Sequence, residues 1–313
     1  EILNGVDADC KLLIGEKILF GKTGAWTKSA IGRWAAADSL TAIENIVKNT
    51  EVLYLITTLG GGIGSGATPV IAEVAKKQGK MVFALVTTPS RTEGSEKVMN
   101  ARSCLEELKK FCSRVIVYSN TVLWKKYHDS TMQKAFDAVA DNIIFPIVEI
   151  THTITKDNLE NIKSHMNREG FARAVYTEVK GSVYCNTLSE SLSSGLWPEY
   201  EKDTARHAVV LLRCSPQVSE DTAEKIVEEF HTVMATETTV VWNYNLTTTP
   251  EDEKRMDEDS VSPMKYDITG LSGGDTEDVE HKCVKQGFLR AVVIIESDIT
   301  DIFPPVSIQD THI

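Results

Sequence analysis

The sequence predicts an α/β protein with a parallel sheet wrapped by helices, a long central helix, and a second, smaller α+β domain. In the first half, strand-like runs alternate with helix-like runs, which is the pattern of a parallel sheet covered by helices. A glycine-rich heptapeptide separates one strand from the next helix, and a long apolar stretch crosses the middle of the chain. We therefore expect three parts, at 1–129, 130–156 and 157–313.

The first-half strands are rich in β-branched and aromatic residues, and the helices have apolar residues at helical spacing. The strand-like runs lie at 52–57, 81–87 and 115–118, and the helical runs at 69–78 and 95–111. Ligands of such sheets bind beyond the carboxyl ends of the strands. The glycine segment, Glu93 and Asn120 each follow one strand, so we expect all three to meet at one edge.

The middle stretch, 130–155, predicts a single long helix. Pro146 lies inside it, and a proline in a helix interior removes a hydrogen bond and costs ~3 kcal/mol unless a kink is accommodated. We therefore expect the helix to bend or restart there. In the second half, strands are predicted at 208–213, 238–243 and 289–295, and a helix at 219–233. The acidic, glycine-rich segment 247–281 favours a solvated loop over a partner-binding arm.

Composition narrows the class of protein. A chain of 313 residues can bury enough surface for two moderate domains. Its six cysteines form no CxxC pair, which argues against a disulfide scaffold or zinc site and for a reducing, cytoplasmic location. The net charge of −12, without a Lys/Arg cluster, argues against direct nucleic-acid binding. No apolar run reaches the ~18 residues that a membrane span needs.

The heptapeptide GGGIGSG, Gly60 to Gly66, is the most informative motif. Glycines break strands and helices, so we place them in the turn between the two elements. Backbone N–H groups at the start of the following helix would then bind an anion, although a plain flexible turn is the alternative. No Gly-Lys-Ser/Thr follows, and no acidic residue stands about 20 positions on, which excludes the usual mononucleotide and dinucleotide motifs.

Read with its flanks, LITTLGGGIGSGATPVIAEVAKKQGKMVFALVTTPSRTEG is similar to the signature region of the tubulin/FtsZ superfamily, usually GGGTGTG or GGGTGSG. The segments FGKTGAW, TEGSEKVMNA and VIVYSN keep the family's order, and the resemblance runs from about Asn4 to Asn245 and resumes near Phe288. It implies a Rossmann-like GTPase domain that binds GTP/GDP with Mg²⁺. It also implies a cytoplasmic cytoskeletal protein that polymerises head to tail, with an accessory or adaptor protein as a possible further partner.

The resemblance assigns a role to each segment of a nucleotide site. The glycine segment would hold the phosphates, with Ile63 replacing the usual Thr and so losing one side-chain hydrogen bond. Glu93 would accept hydrogen bonds from the ribose, beside Lys97, although Glu and Lys at this spacing are also an ordinary helix pair. The implied nucleotide-binding residues are Gly24, Ala25, Gly60, Gly61, Gly62, Ile63, Gly64, Ser65, Gly66, Glu93, Lys97, Asn120, Phe136, Asp141 and Asn142.

The segment TKDNLE resembles the family's catalytic loop, NVDLTE, with Asp157 and Glu160 as its two acids. In the family this loop completes the active site of the neighbouring subunit, so hydrolysis would depend on assembly. Two acids at a helix start are also ordinary dipole-stabilising residues. An alignment shifted by one would instead place Asn158 and Asn161 in these roles and predict slow or absent hydrolysis. Asp7 is the candidate for the Mg²⁺ shell.

The family normally begins with a strand and a glycine-rich loop ahead of the segment matching Ile2 to Leu12, and the present sequence does not contain them. Truncation or processing is the favoured explanation. If the natural protein lacks this strand and loop, nucleotide binding would be weaker. Two alternatives to an assembling GTPase remain. One is a structural or regulatory relative that does not polymerise or does not hydrolyse GTP. The other is an unrelated dinucleotide-dependent enzyme.

Overall fold

A computed structural model describes residues 7–19, 24–155, 158–166, 171–180, 205–216, 218–234, 239–246, 288–297 and 302. The strands are β1 Val52–Thr58, β2 Met81–Thr88, β3 Arg114–Ser119, β4 Phe171–Lys180, β5 Ala205–Cys214, β6 Thr239–Asn245 and β7 Phe288–Ser297. The helices are α1 Glu16–Leu19, α2 Ser29–Asp38, α3 Leu40–Lys48, α4 Gly62–Lys77, α5 Ser95–Phe111, α6 Asn120–Lys126, α7 Met132–Thr153, α8 Leu159–Met166 and α9 Glu220–Val233.

The strands form one seven-stranded sheet in the order β1-β2-β3-β4-β7-β5-β6. Strands β1 to β4 are parallel neighbours, β7 runs antiparallel to both β4 and β5, and β5 pairs parallel with β6. The predicted α/β class with a mostly parallel sheet is confirmed. The described sheet continues from the first half of the chain into the second, and the three-part division remains a prediction.

Helices cover both faces of the sheet. On one face, α2 to α5 bury apolar side chains against the first strands, and on the other face α6, α7 and α8 do the same. A third cluster packs α9 against β5 and β7. Strand β2 is buried along its whole length, whereas β1 is mostly half-buried and its Ile56 side chain is 58% exposed. Among the described residues, no strand pairs with the outer edge of β1.

Helix α4 begins at Gly62, so Gly62, Gly64 and Gly66 lie inside the helix and not in the predicted turn. Close packing explains their place there. A Cβ on Gly64 would lie 2.1 Å from the Thr58 carbonyl oxygen, and one on Gly66 would lie 2.0 Å from that of Ser29. Glycine costs a helix up to about 1 kcal/mol relative to alanine. Here the glycines allow α4 to pack closely against β1 and α2, and a side chain at these positions would prevent that packing.

We expect Gly66→Ala to lower the free energy of unfolding by about 2 kcal/mol, because the steric cost of overpacking exceeds the gain in helix propensity. Gly61→Ala is the matched control, since its backbone has φ −76° and the nearest atom to its new Cβ would be 3.9 Å away. Urea denaturation followed by circular dichroism measures both. Equal stability of the two variants would contradict this packing role.

The central helix α7 runs from Met132 to Thr153 without restarting at Pro146, which corrects the expectation of a restart. The missing proline N–H would have bonded to the Asn142 carbonyl, four residues earlier. That carbonyl instead accepts a hydrogen bond from the Tyr118 hydroxyl at 2.7 Å. The orphaned carbonyl is therefore satisfied from β3, and burial raises the pKa of this tyrosine, so its hydroxyl keeps its proton.

A buried ion cluster joins α7 to the second half of the sheet. The Glu149 carboxylate accepts hydrogen bonds from Arg213 Nε at 2.5 Å and Nη2 at 2.8 Å, and Arg290 Nη1 lies 3.8 Å away. All three side chains are at most 7% exposed. Because β5 and β7 supply the arginines, this carboxylate fixes the central helix against both strands.

The part of the chain that the structure describes has no helix of the length and apolarity needed to cross a membrane.

Candidate nucleotide site

Three segments meet beyond the carboxyl ends of β1, β2 and β3. The Asn120 side chain, at the end of β3, donates to Glu93 Oε1 at 3.2 Å, and Lys97 Nζ donates to Glu93 Oε2 at 3.1 Å. A Cβ built on Gly60 would lie 3.1 Å from Lys97 Cβ. The structure therefore brings the glycine segment, Glu93, Lys97 and Asn120 to one edge of the sheet, which is the place the sequence predicts.

The first turn of α4 forms a cradle of backbone amides. Gly61 is the N-cap with no side-chain cap bond, and Gly60 has φ +101°, a conformation that favours glycine. Within the described residues, the amides of Ile63 and Gly64 donate to no acceptor. They are unpaired donors at the positive end of a helix, an arrangement that binds phosphate groups. Replacing Thr by Ile at position 63 leaves these backbone donors unchanged.

The other polar groups of the segment are used inside the protein. The Gly60 N–H donates to Ser65 Oγ at 2.8 Å, and the Gly62 N–H donates to the Trp26 carbonyl at 2.5 Å. Ser65 is buried, and its hydroxyl oxygen holds the backbone of the cradle by accepting the hydrogen bond from the Gly60 N–H. Of the predicted phosphate-binding residues, Ile63 and Gly64 offer amides, whereas Gly60 and Ser65 shape the loop.

A loop at Gly24 to Thr27 lies against the cradle. Gly24 has φ +79°, and Trp26 adopts φ +48°, which is uncommon for a bulky residue and typical of strained positions in functional sites. Ala25 is buried, and its carbonyl oxygen would lie 2.5 Å from a Cβ on Gly62. The loop that the resemblance assigns to the γ-phosphate is thus in direct contact with the start of α4.

Asn100 is a positioning residue that the sequence analysis does not identify. Its side-chain amide donates to the Thr27 carbonyl at 2.6 Å and to the Gly60 carbonyl at 3.1 Å. It therefore ties the loop and the glycine segment to α5. The signal available in the sequence is its spacing, since Asn100 follows Lys97 by three residues and such residues lie on the same face of a helix.

Glu93 closes a short 3₁₀ turn, Arg91–Glu93, in a capping box with Ser90. Burial alone would raise the pKa of Glu93, but hydrogen bonds from the Ser90 amide, Asn120 and Lys97, together with the lysine charge, hold that pKa below its ordinary value. The side chain is 30% exposed. It is therefore an ionised acceptor at neutral pH with access to solvent, as a ribose-binding carboxylate must be.

The three residues predicted to contact the base lie on α7, where Phe136 is on a different side of the helix from Asp141 and Asn142. Phe136 is 48% exposed and meets Trp124 edge to face, with ring centroids 6.1 Å apart. Asp141 is exposed, and the Asn142 amide donates to the Ala138 carbonyl of its own helix at 2.7 Å. Phe136 and Asp141 are five positions apart, which separates them by about 140° around a helix. No described contact joins these side chains to the cradle.

Glu160 lies near the opposite edge of the sheet from the cradle, because α8 leads into β4, which starts beside the beginning of β3. It stands in the first turn of α8, is 83% exposed, and pairs with Lys163 at 2.7 Å. Helix α8 contacts the beginning of β3, where Arg114 donates to the His165 carbonyl at 3.2 Å. The 22 residues of α7 span about 33 Å between the two ends. Glu160 therefore cannot reach the cradle of its own chain.

The remaining predicted residues are placed as follows. Asp157 lies outside the described residues, and Asp7 is exposed in the stretch before α1. Asn158 Oδ1 accepts from the Thr155 amide at 2.7 Å, and Asn158 Nδ2 donates to the Thr153 carbonyl at 2.8 Å, so this side chain holds the turn between α7 and α8. The described residues contain no group of three or more His, Cys, Asp or Glu side chains that could hold a metal ion.

Comparison with known proteins places the chain in a family. Residues 1–128 match the family described as "Tubulin/FtsZ family, GTPase domain". The chain is 31% identical to "Cell division protein FtsZ 1" of Archaeoglobus fulgidus over 242 residues, covering 75% of this chain and 65% of that protein. It is also 31% identical to "Cell division protein FtsZ 1" of Pyrococcus woesei over 256 residues, covering 80% of this chain and 68% of that protein.

The fold has a matching solved structure, an FtsZ dimer from M. jannaschii. It superposes with a TM-score of 0.70 at 23% identity, over 95% of this chain and 78% of that one. The present chain spans about 65% of the length of the Archaeoglobus relative. With 31% identity over 68% of the Pyrococcus relative and a family match over residues 1–128, the chain belongs to the tubulin/FtsZ family.

Proposed function

We propose that this protein binds and hydrolyses GTP and assembles head to tail into cytoskeletal filaments, with each active site completed by the next subunit. One observation supports this most strongly. The amide cradle follows the carboxyl end of β1, and the exposed Glu160 lies on α8, near the edge of the sheet where β3 and β4 begin. A head-to-tail stack brings the two ends together, whereas a single subunit cannot.

The cradle residues would bind the nucleotide in three places. The amides of Ile63 and Gly64 would hold phosphate oxygens, and the Gly24–Thr27 loop would contact the terminal phosphate. Ionised Glu93 would accept hydrogen bonds from the ribose hydroxyls while Lys97 and Asn120 hold its carboxylate in place. A bound Mg²⁺ ion would neutralise part of the negative charge of the phosphates.

Hydrolysis would need a group that orients the attacking water. Glu160 of the neighbouring subunit is our candidate, because it is exposed and its only described ion pair is with Lys163 on the surface. Positioning of water and electrostatic stabilisation provide most of the catalysis in phosphoryl transfer. Asp157 is proposed as a second acid of the same loop, and Asp7 as a ligand of the Mg²⁺ shell.

A relative that binds GTP without hydrolysing it is the second candidate. The alignment that places Asn158 and Asn161 in the catalytic positions favours it, as does the separation of Phe136 from Asp141 and Asn142 on α7. Against it, both polar atoms of Asn158 are engaged with backbone groups of the preceding turn. That asparagine therefore has a structural use and is poorly placed to orient water.

A cytoplasmic location is part of the proposal. Cys104, Cys112 and Cys214 are free thiols, and burial raises the pKa of each to about 12. Such thiols are inert and pack as small apolar groups. An accessory or adaptor protein remains a predicted partner.

The decisive experiment is nucleotide-dependent sedimentation of the full-length protein, combined with phosphate release. We expect pelleting with GTP and not with ATP, and turnover per subunit that rises with protein concentration, because the site is shared between neighbours. Binding of GTP without pelleting or turnover would favour the second candidate. Turnover independent of concentration would exclude the shared site, and binding of a nicotinamide dinucleotide in place of GTP would exclude both.

A further inference from the structure

A partly open cavity of about 240 Å³ lies in a groove between α2 and α5, next to the phosphate cradle. Helix α4 forms its floor through Ser65 and Gly66, and Ser65 is buried. Two ion pairs connect the walls. Lys28 and Glu96 form one pair at 2.8 Å, and each precedes in sequence the residues of its segment that line the cavity. Arg33 and Glu107, which both line the cavity, form the other pair.

The lining is polar but nearly neutral. Ser29, Ser103 and Asn100 supply hydroxyl and amide groups that both donate and accept hydrogen bonds. The charges of Arg33 and Glu107 compensate each other, so neither a free anion nor a free cation is favoured. The Trp34 indole, 59% exposed, offers a flat apolar face at the rim.

A polar cavity of this size has room for about eight water molecules at liquid density. A ligand that displaces such waters must reproduce their hydrogen bonds to gain affinity. Hydroxyl groups do this best, because each one donates and accepts as water does. The C–H groups of the same ligand would pack on the Trp34 ring.

We propose that this cavity is a second ligand site, which binds a small neutral polyhydroxylated molecule of about eight to ten heavy atoms. Two of its lining side chains, Ser65 and Asn100, hold Gly60 from opposite sides of its backbone, through the N–H and the carbonyl. A ligand that contacts them changes the cost of ordering the cradle. Occupancy of the cavity is therefore coupled to nucleotide affinity, and this coupling rests on the proposed function.

Saturation-transfer NMR with erythritol and xylitol tests the site on the full chain. We expect transfer from the wild type and from Glu106→Trp, which adds an indole to an exposed position of α5 outside the lining. Ser103→Trp, which fills the cavity, is expected to lose the signal. If that variant does not fold, Ala30→Trp fills the cavity from α2. Equal transfer from wild type and filled variants would overturn the site, and stronger transfer to glutarate or putrescine would overturn the ligand class.

The coupling is measured separately, as the GTP dissociation constant with and without saturating xylitol. In the wild type we expect xylitol to change the GTP dissociation constant about fivefold, in the range typical of linked sites. We expect no change in Ser103→Trp, which is the control for general osmolyte effects of xylitol. Xylitol binding without any GTP binding would contradict the proposed function while leaving the cavity site standing. Binding of both with no mutual effect would overturn the coupling.

Discussion

Replacing Glu149 with alanine is expected to lower the free energy of unfolding by about 4 kcal/mol, because it leaves two buried arginines without their carboxylate. Arg213 and Arg290 lie on β5 and β7, and Glu149 is the group that joins both to α7. Urea or thermal denaturation measures the loss. The surface pair Glu73–Lys77 gives the control, since Glu73→Ala is expected to change stability by no more than about 0.5 kcal/mol.

A triple variant separates two contributions to the free energy of unfolding: the loss caused by leaving buried charges without a counter-ion, and the net stabilisation that the intact cluster provides over apolar packing. Glu149→Leu with Arg213→Met and Arg290→Met replaces these three charged side chains by apolar groups, and such replacements are often neutral or stabilising. We expect it to recover most of the stability lost in Glu149→Ala. If the single variant unfolds at the same urea concentration as the wild type, the cluster does not join the central helix to the sheet.

Replacing Glu160 with alanine is expected to reduce GTP turnover by about 100-fold or more, the scale expected for loss of a residue that positions or activates water. GTP binding should stay nearly unchanged, because the side chain lies at the far end from the cradle. Filaments should be longer and persist, since the nucleotide in them is not cleaved. Phosphate release, nucleotide binding and sedimentation are measured on the same preparation.

Two variants of the same helix control for the surface change. Lys163→Ala removes the ion partner of Glu160 and leaves the carboxylate in place, so turnover should stay within about twofold. Asn161→Ala tests the shifted alignment, in which Asn161 would be required. Unchanged turnover in Glu160→Ala, or a loss confined to Asn161→Ala, would remove Glu160 from the mechanism.

The sequence predicts much of the fold because most strands are uniform apolar runs between clear breakers. Strand β4 is the exception. Its sequence, FARAVYTEVK, contains three charged residues along its length, a pattern that indicates a solvated segment. In the structure β4 lies in the middle of the sheet and its Arg173 is 4% exposed. Burial of an arginine depends on partners from distant parts of the chain, which local periodicity does not report.

The glycine segment shows a different limit. Its place at the ligand-binding edge follows from topology alone, since parallel strands end on the same side of the sheet. The assignment of its glycines to a turn is wrong for Gly62, Gly64 and Gly66, because helix propensity says nothing about how closely a neighbouring helix approaches. Asn100 was missed for the same reason, as its bonds to Thr27 and Gly60 join parts of the chain that are far apart in sequence.

The half-covered first strand has a practical consequence. Among the described residues no strand pairs with its outer edge, and its sequence, VLYLITT, contains no charged side chain. Such an edge is a template for adding a foreign strand. A lysine at the exposed Ile56 should therefore lower any nucleotide-independent association of copies of this chain through that edge.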